Sequence, residues 1–183
     1  AGLGEDLFEA AVMWFGRLPG GLAVATTGGC AAFGAASGST VGTVTLFTKL
    51  ALPTMLAHGY DKRLASASIA TSGALAALIP PSALIVLYGI LTDTSIGKLL
   101  LAGLLPGIAF AVVIFIATMI LVMLKPSLAP KIPQRFTWGE RLWSVRLVGP
   151  LLVVIAAIIG GLYFGVFTPT EAGAVGAAVT FLL

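Results

Sequence analysis

The stretch Ala36–Gly42 reads ASGSTVG and gathers three hydroxyl side chains and two glycines where no charge occurs between Arg17 and Lys49. A helix that ends here exposes carbonyl oxygens, and a helix that begins here exposes amide hydrogens. Interrupted helices at mid-membrane depth bind sodium at unwound carbonyls and substrate anions at helix N-termini. Close helix packing through small residues is the alternative interpretation. The candidate ligands for an ion or a substrate are Ser37, Gly38, Ser39 and Thr40.

A second interruption lies at Leu78–Ile85, which reads LIPPSALI within another charge-free run. Pro80 and Pro81 have no amide hydrogen, so a helix that reaches them is expected to leave the carbonyls of Ala76 and Ala77 without partners. A proline also pushes the residue before it out of helical geometry. Gly73 adds a flexible point upstream, and Ser82 lies near the start of the second half. Together with the hydroxyl cluster, this break predicts a binding site, whereas a structural kink is the alternative.

The composition determines the class of protein. The chain has 183 residues, of which 58% are hydrophobic and 9% charged, and its mean hydropathy is +1.09. Soluble domains average about 25% charged residues. The charges divide the sequence into runs that each exceed the ~20 apolar residues of a membrane-spanning helix. These runs lie between Arg17 and Lys49, Arg63 and Asp93, Lys98 and Lys125, and Arg146 and Glu171. The sequence therefore predicts an all-α polytopic membrane protein.

The elements that position the candidate ligands follow from helix length. A single helix over 18–57 would be far longer than the ~30 Å hydrocarbon layer, so two shorter helices forming a re-entrant hairpin are predicted there. The predicted segments are an interfacial amphipathic helix at 1–17, the re-entrant hairpin at 18–57, a broken transmembrane helix at 64–92, a transmembrane helix at 99–124, a basic cytoplasmic or interfacial segment at 125–146, a transmembrane helix at 147–167 and the start of a further helix at 168–183.

The distribution of basic residues predicts the orientation. Residues 125–146 hold five of the ten Lys and Arg residues, and such excess marks cytoplasmic segments. Counting back places 93–98 outside the cytoplasm and Lys62 and Arg63 inside. A hairpin at 18–57 then leaves Arg17 on the cytoplasmic side too. The net charge of +3 is therefore a feature of membrane orientation and does not indicate a nucleic-acid partner.

Other reactive residues favour structural roles. Cys30 is the only cysteine, which excludes an internal disulfide and a cysteine-rich metal site, and His58 is expected to be a solvated loop residue. Thr168 and Glu171 have the spacing of a capping box, which explains Glu171 more simply than ion binding. A serine nucleophile needs a base within hydrogen-bond reach, and Lys49 is the only intramembrane candidate. The chain is predicted not to be an enzyme.

Six stretches, in order along nearly the whole chain, resemble the large membrane subunit of tripartite ATP-independent periplasmic (TRAP) transporters, the dicarboxylate-transporter M type. They are GRLPGGLAVATT at 16–27, ASGSTVGTV at 36–44, LPTMLAHGYDKRLASA at 52–67, GALAALIPPSALIVLYG at 73–89, LLLAGLLPGI at 99–108 and GGLYFGVFTPTEAGAVGA at 160–177. The residues at 75–78 depart from the Gly-Pro-type pair that often precedes IPPS in this family.

The resemblance implies an elevator-type secondary transporter with inverted repeats, of which this chain would supply the first half and the start of the second. It implies coupling to a sodium gradient without ATP or any cofactor. The implied partners are a small membrane subunit and a periplasmic substrate-binding protein, in the inner membrane of a bacterium or archaeon. It also places the expected sodium site between the hairpin tip and the broken helix. The implied sodium ligands are Ser37, Ser39, Gly73 and Ile79, beside Pro80, Pro81 and Ser82.

The functional prediction is a sodium-coupled transporter subunit that imports small organic acids, such as C4-dicarboxylates or sugar acids. Two alternatives stay open. One is a carboxylate or ion transporter of similar hairpin architecture that needs no binding protein, and the other is a membrane scaffold subunit that does not transport. The residues do not identify the substrate, the ion stoichiometry or the oligomeric state.

Overall fold

A computed structural model describes residues 3–130 and 137–164, together with residues 166, 168, 171, 174 and 178. Within these ranges the chain is all-helical and contains no strand. The α-helices are α1 Leu3–Phe15, α2 Gly21–Ser37, α3 Thr40–Ala57, α4 Lys62–Gly73, α5 Ala83–Leu91, α6 Ile96–Leu124 and α7 Trp138–Tyr163. Most of the predicted further helix at 168–183 lies outside the described residues.

Helices α2 and α3 form a helical hairpin. They meet at Gly38 and Ser39, and their far ends are joined where the Leu22 amide donates to the Tyr60 hydroxyl at 3.2 Å. Between tip and base, Phe47 is fully buried and its ring lies where a side chain on Gly29 would be. The absence of a side chain at Gly29 therefore allows the two helices to pack closely around an aromatic core.

The next segment is a helix in two pieces. Helix α4 ends at Gly73 and continues as a 3₁₀ turn over Ala74–Ala77, and α5 begins only at Ala83. The five residues between them include Pro80 and Pro81, which are joined by a cis peptide bond. Because neither proline has an amide hydrogen, the α-helical ladder cannot cross this point.

Helix α6 supports both the hairpin and the break. Near its end, Val122 contacts Gly20 at the hairpin base, and near its start Gly103 and Gly107 lie against Leu78 and Ile79. At about 1.5 Å per residue, the 29 residues of α6 extend ~43 Å, whereas α2 extends only ~26 Å. The hairpin therefore ends part of the way along α6, and α5 continues beyond its tip.

The two outer helices pack on the hairpin. The Phe15 ring at the end of α1 lies 5.2 Å from the Phe115 ring of α6, and the Phe8 ring in the middle of α1 lies 6.3 Å from the Phe47 ring of α3, so α1 contacts both α6 and the hairpin. Helix α7 joins α1 through the Trp14 indole, which donates to Ser144 at 3.2 Å. It begins at Trp138, well before the predicted start of a span at 147, because Thr137 and Glu140 form a capping box there.

Two of the described helices, α3 and α6, are long and apolar enough to cross a membrane. The surface of α6 is consistent with contact to lipid. From Leu99 to Leu124 every exposed side chain of α6 is apolar, and Leu105 and Leu124 are more than three quarters exposed. In water, such a patch would be a strong aggregation or docking surface, whereas lipid tails solvate it.

Candidate ion and substrate site at the hairpin tip

The hairpin tip is a two-residue link that caps both helices. Gly38 ends α2 with a left-handed backbone, φ +61°, and its amide donates to the Gly34 carbonyl at 2.8 Å. Ser39 begins α3 as its N-cap, and its hydroxyl accepts from the Gly42 amide at 3.1 Å. A glycine is required at 38 because other residues rarely adopt this conformation. Local capping alone therefore explains why the chain reverses here.

The hydroxyls around the tip differ in how firmly they are held. The Thr43 hydroxyl donates to the Ser39 carbonyl at 2.8 Å, and Thr43 is fully buried. Ser37 is exposed, and its hydroxyl has only long contacts of 3.4 Å, with the Thr43 hydroxyl and the Ser39 amide. Thr40 is half-buried at the start of α3. Ser37 is therefore an exposed tip hydroxyl that can turn toward a ligand at small cost.

The broken helix supplies hydrogen-bond partners for part of its own backbone. The Ser82 hydroxyl donates to the Ala77 carbonyl at 2.7 Å and also accepts from the Ile85 amide at 3.4 Å. Ser82 is fully buried. The expectation that the Ala77 carbonyl lacks a partner is therefore wrong, because the serine side chain replaces the amide that Pro81 cannot supply. Ser82 acts here as the N-cap of α5.

The tip and the break are in direct contact. The Ala83 amide donates to the Gly38 carbonyl at 3.3 Å. A Cβ atom added to Gly38 would overlap the Pro81 carbonyl oxygen. One turn before the tip, Gly34 is packed so closely on Ala76 that an added Cβ would lie 2.9 Å from the Ala76 Cα atom. Two glycines of α2 thus allow the hairpin to lie backbone to backbone on the interrupted segment.

The remaining predicted residues lie around this contact. Gly73 is packed against the first turn of α3, where an added Cβ would overlap a methyl group of Val44. Pro80 is buried and Pro81 is partly buried. The Ile79 side chain points toward α6, because an added Cβ on Gly107 would lie 3.1 Å from it. The hydrocarbon side chain of Ile79 cannot coordinate an ion, so a ligand role for Ile79 requires its backbone oxygen.

A buried polar contact away from the tip was not predicted from the sequence. The hydroxyls of Thr27 on α2 and Ser72 on α4 lie 2.8 Å apart, and both side chains are fully inaccessible. Thr27 also donates to the Ala23 carbonyl at 3.2 Å. The sequence signal was weak, since one Thr and one Ser in small-residue helices indicate nothing about pairing. This contact joins the hairpin to the first half of the broken helix.

Other candidate groups have structural roles. Cys30 is buried, and the His58 ring contacts the Thr54 carbonyl at 2.8 Å on an exposed turn. The Thr168 amide and hydroxyl donate to the Glu171 carboxylate at 2.8 Å, which confirms the capping interpretation for these two residues. Among the described residues no three His, Cys, Asp or Glu side chains come together as a metal site. The oxygen atoms near the tip are hydroxyls and carbonyls, a set that suits a hard monovalent cation.

Comparison with known proteins identifies the family. The sequence model of the family described as the tripartite ATP-independent periplasmic transporter, DctM component, matches residues 1–183. The C4-dicarboxylate TRAP transporter large permease protein of Vibrio cholerae is 35% identical over 182 residues, covering 100% of this chain and 40% of its own length. The ectoine TRAP transporter large permease protein of Halomonas elongata is 41% identical over 168 residues, covering 92% of this chain and 39% of its own.

A third relative, the isethionate TRAP transporter permease protein of Oleidesulfovibrio alaskensis, is 36% identical over 178 residues, covering 96% of this chain and 27% of its own length. The chain therefore spans about two fifths or less of the length of these relatives. It belongs to the DctM-component family of large membrane subunits of TRAP transporters.

Proposed function

We propose that this chain is part of a sodium-coupled secondary transporter subunit that imports small organic acids across the inner membrane. The permeases it resembles are named for C4-dicarboxylates, ectoine and isethionate, which are all small and carry at least one acidic group. The direct contact of Gly38 with Pro81 and Ala83 is the observation that carries the proposal. It brings two helix interruptions together in one chain, as in discontinuous-helix ion sites.

Sodium is proposed to bind between the hairpin tip and the break, as cotransported cargo. The Ser37 hydroxyl and backbone carbonyls of Ser39, Gly73 and Ile79 are the proposed ligands. The Ser39 carbonyl already accepts from the amide and the hydroxyl of Thr43, so its share in the site depends on a small rearrangement of the tip. Binding would hold the tip against the break and fix the relative position of both segments.

The substrate is proposed to bind next to the same tip. Helix α3 begins at Thr40 with Ser39 as its cap, and its first-turn amides point toward the link. The N-terminus of a helix attracts an anion through these amides and the helix dipole. Ordering of the tip by sodium would therefore prepare a carboxylate site, which is the simplest physical basis for coupling the two solutes.

The proposal includes the family's other components. A periplasmic binding protein would deliver the substrate, and a small membrane subunit would brace the part of the protein that stays fixed during an elevator-type movement. The base of the hairpin is proposed to face the cytoplasm. The segments that carry Lys62 and Lys125 meet there, because the Asp61 amide donates to the Leu128 carbonyl at 2.9 Å. A shared basic end agrees with the distribution of positive charge in membrane proteins.

Uptake into proteoliposomes tests this function. The full-length complex is reconstituted, the binding protein is added outside, and radiolabelled succinate, ectoine and isethionate are supplied with or without an inward sodium gradient. Uptake that requires both sodium and the binding protein supports the proposal. Sodium-driven uptake without the binding protein would favour the binding-protein-independent transporter, and absence of uptake of any acid would favour the scaffold subunit.

A further inference from the structure

The exposed face of α3 differs from that of α6, the other described helix that is long and apolar enough to cross a membrane. Thr45, Thr48 and Lys49 are exposed on α3, between Val41, which is 77% exposed, and Leu56, which is 42% exposed. By contrast, α6 exposes only apolar side chains from Leu99 to its end. The two candidate spans therefore cannot both face lipid along these surfaces.

The position of Lys49 would make contact of this face with lipid energetically costly. It lies nine residues after Thr40, about 13 Å along the helix axis from the tip, and eight residues before the end of α3. Among the described residues no carboxylate lies within 4 Å of its ammonium group. Charged side chains inside a membrane face a water-filled cavity or a protein partner, because lipid does not solvate them.

Three exposed residues of α3 lie on one side of the helix. Gly42, Thr45 and Lys49 follow the spacing of a single helical face, and Gly42 contacts the Ser39 hydroxyl at the tip. The opposite face, with Thr43, Phe47, Ala51 and Met55, is buried in the hairpin core. This face therefore carries exposed polar side chains, Thr45 and Lys49, over the half of α3 nearest the tip.

We infer that this face of α3, defined by Gly42, Thr45 and Lys49, lines a water-filled passage between the tip and the base of the hairpin, and that Lys49 attracts anionic substrates into it. The inference rests on the proposed function, because it assigns the route by which the acid leaves the tip site. Bulk water would solvate the ammonium group, and the positive charge would raise the local concentration of carboxylates.

Cysteine labelling of the full-length protein tests the passage. In a cysteine-free background that includes C30A, T45C is compared with I116C, which replaces an exposed residue on the apolar face of α6. Inside-out vesicles are treated with membrane-impermeant methanethiosulfonates, one carrying a sulfonate and the other a quaternary ammonium group. Rapid labelling of T45C together with slow labelling of I116C is expected. Equal rates at the two positions would overturn the inference.

The charge of Lys49 is tested at the same cysteine. Lys49 lies one turn from Thr45, about 6 Å away, where a unit charge in water changes the concentration of a small ion roughly threefold. K49Q should lower the ratio of sulfonate to ammonium labelling of T45C at least about threefold, and K49R should preserve it. An unchanged ratio in K49Q would overturn the attraction of anions.

Labelling tests the passage and uptake tests the proposed function, so either claim can fail without the other experiment failing. Labelling is measured without a sodium gradient or a binding protein, so it does not depend on transport. A protein that imports an acid with sodium but leaves T45C unlabelled would refute the passage alone. A protein that is labelled as expected but shows no sodium-dependent uptake would refute the proposed function, and the role of Lys49 in substrate release with it.

Discussion

The Ala83 amide nitrogen lies 3.3 Å from the Gly38 carbonyl oxygen, across 45 residues of sequence. One atom belongs to the first turn of α5 and the other to Gly38, the C-cap residue that follows α2. The first amides of a helix and the last carbonyls of a helix have no partners within their own helices. Each terminus therefore satisfies the other, and a change in the position of the hairpin tip must alter the start of α5.

G38A is expected to abolish sodium-driven uptake while the protein still inserts. The added Cβ would overlap the Pro81 carbonyl oxygen, and the left-handed conformation at 38 costs an alanine about 1–2 kcal/mol. G97A is the matched control, because nothing lies within 4 Å of a Cβ at Gly97 in α6. Uptake by reconstituted variants is the measurement. Normal uptake by G38A would show that the close contact of tip and break is dispensable.

S37A and S39A should separate sodium binding from helix capping. Ser37 is exposed and has only 3.4 Å contacts, so S37A should raise the sodium concentration for half-maximal uptake with little change in thermal stability. S39A also removes the cap of α3 and should lower the free energy of unfolding by about 1 kcal/mol. Sodium titration of uptake and thermal unfolding in detergent give the two readouts. If S37A keeps the wild-type sodium dependence, the Ser37 hydroxyl is not a ligand.

The class of fold and the family followed from the sequence, because both depend on composition and on ordered motifs. Long charge-free runs can be solvated only by lipid or by a protein core, and no strand pattern competed with them. The positions of the interruptions were also accessible. Proline at 80 and 81 and glycine at 38 change the backbone locally, whatever surrounds them.

The hydrogen-bond partner of the Ala77 carbonyl at the break was not predictable from the sequence. Sequence reasoning left the Ala77 carbonyl without a partner, and the structure supplies the Ser82 hydroxyl five residues later. The contact between Thr27 and Ser72 joins residues 45 positions apart, so no local pattern reports it. Both contacts depend on how the chain packs in three dimensions, and the helix propensities of single residues do not encode that packing. The re-entrant depth of the hairpin and the sodium ligands stay predictions.

T27V and S72A should destabilise the protein less in combination than the sum of their separate effects. Removing the Thr27 hydroxyl leaves Ser72 buried without its partner, which costs about 1–3 kcal/mol. The double variant removes both groups, so a coupling of about 0.5–1.5 kcal/mol is expected between them. Thermal unfolding in detergent measures it. T71A, at the exposed neighbour of Ser72, is the control. Strictly additive effects would show that the pair does not join α2 to α4.

Y60F should loosen the base of the hairpin. The Tyr60 hydroxyl is buried and accepts the Leu22 amide, which lies in the first turn of α2 and has no helical partner. Losing this acceptor should lower the free energy of unfolding by about 1–3 kcal/mol at neutral pH. Y88F is the control, because Tyr88 is 57% exposed on α5. Equal melting temperatures for Y60F and Y88F would contradict a structural role for the bond.

The same variant should change the dependence of stability on pH. Burial raises the pKa of Tyr60 above its ordinary value of 10.0, and the hydrogen bond from Leu22 opposes that shift more weakly. The folded protein therefore keeps this proton where the unfolded chain releases it. The contribution is fully present below pH 10 and is lost as the pH rises through the raised pKa. Wild type should lose stability more steeply than Y60F between about pH 9 and pH 11, measured by thermal unfolding. Parallel curves would mean that Tyr60 titrates alike in the folded and unfolded states.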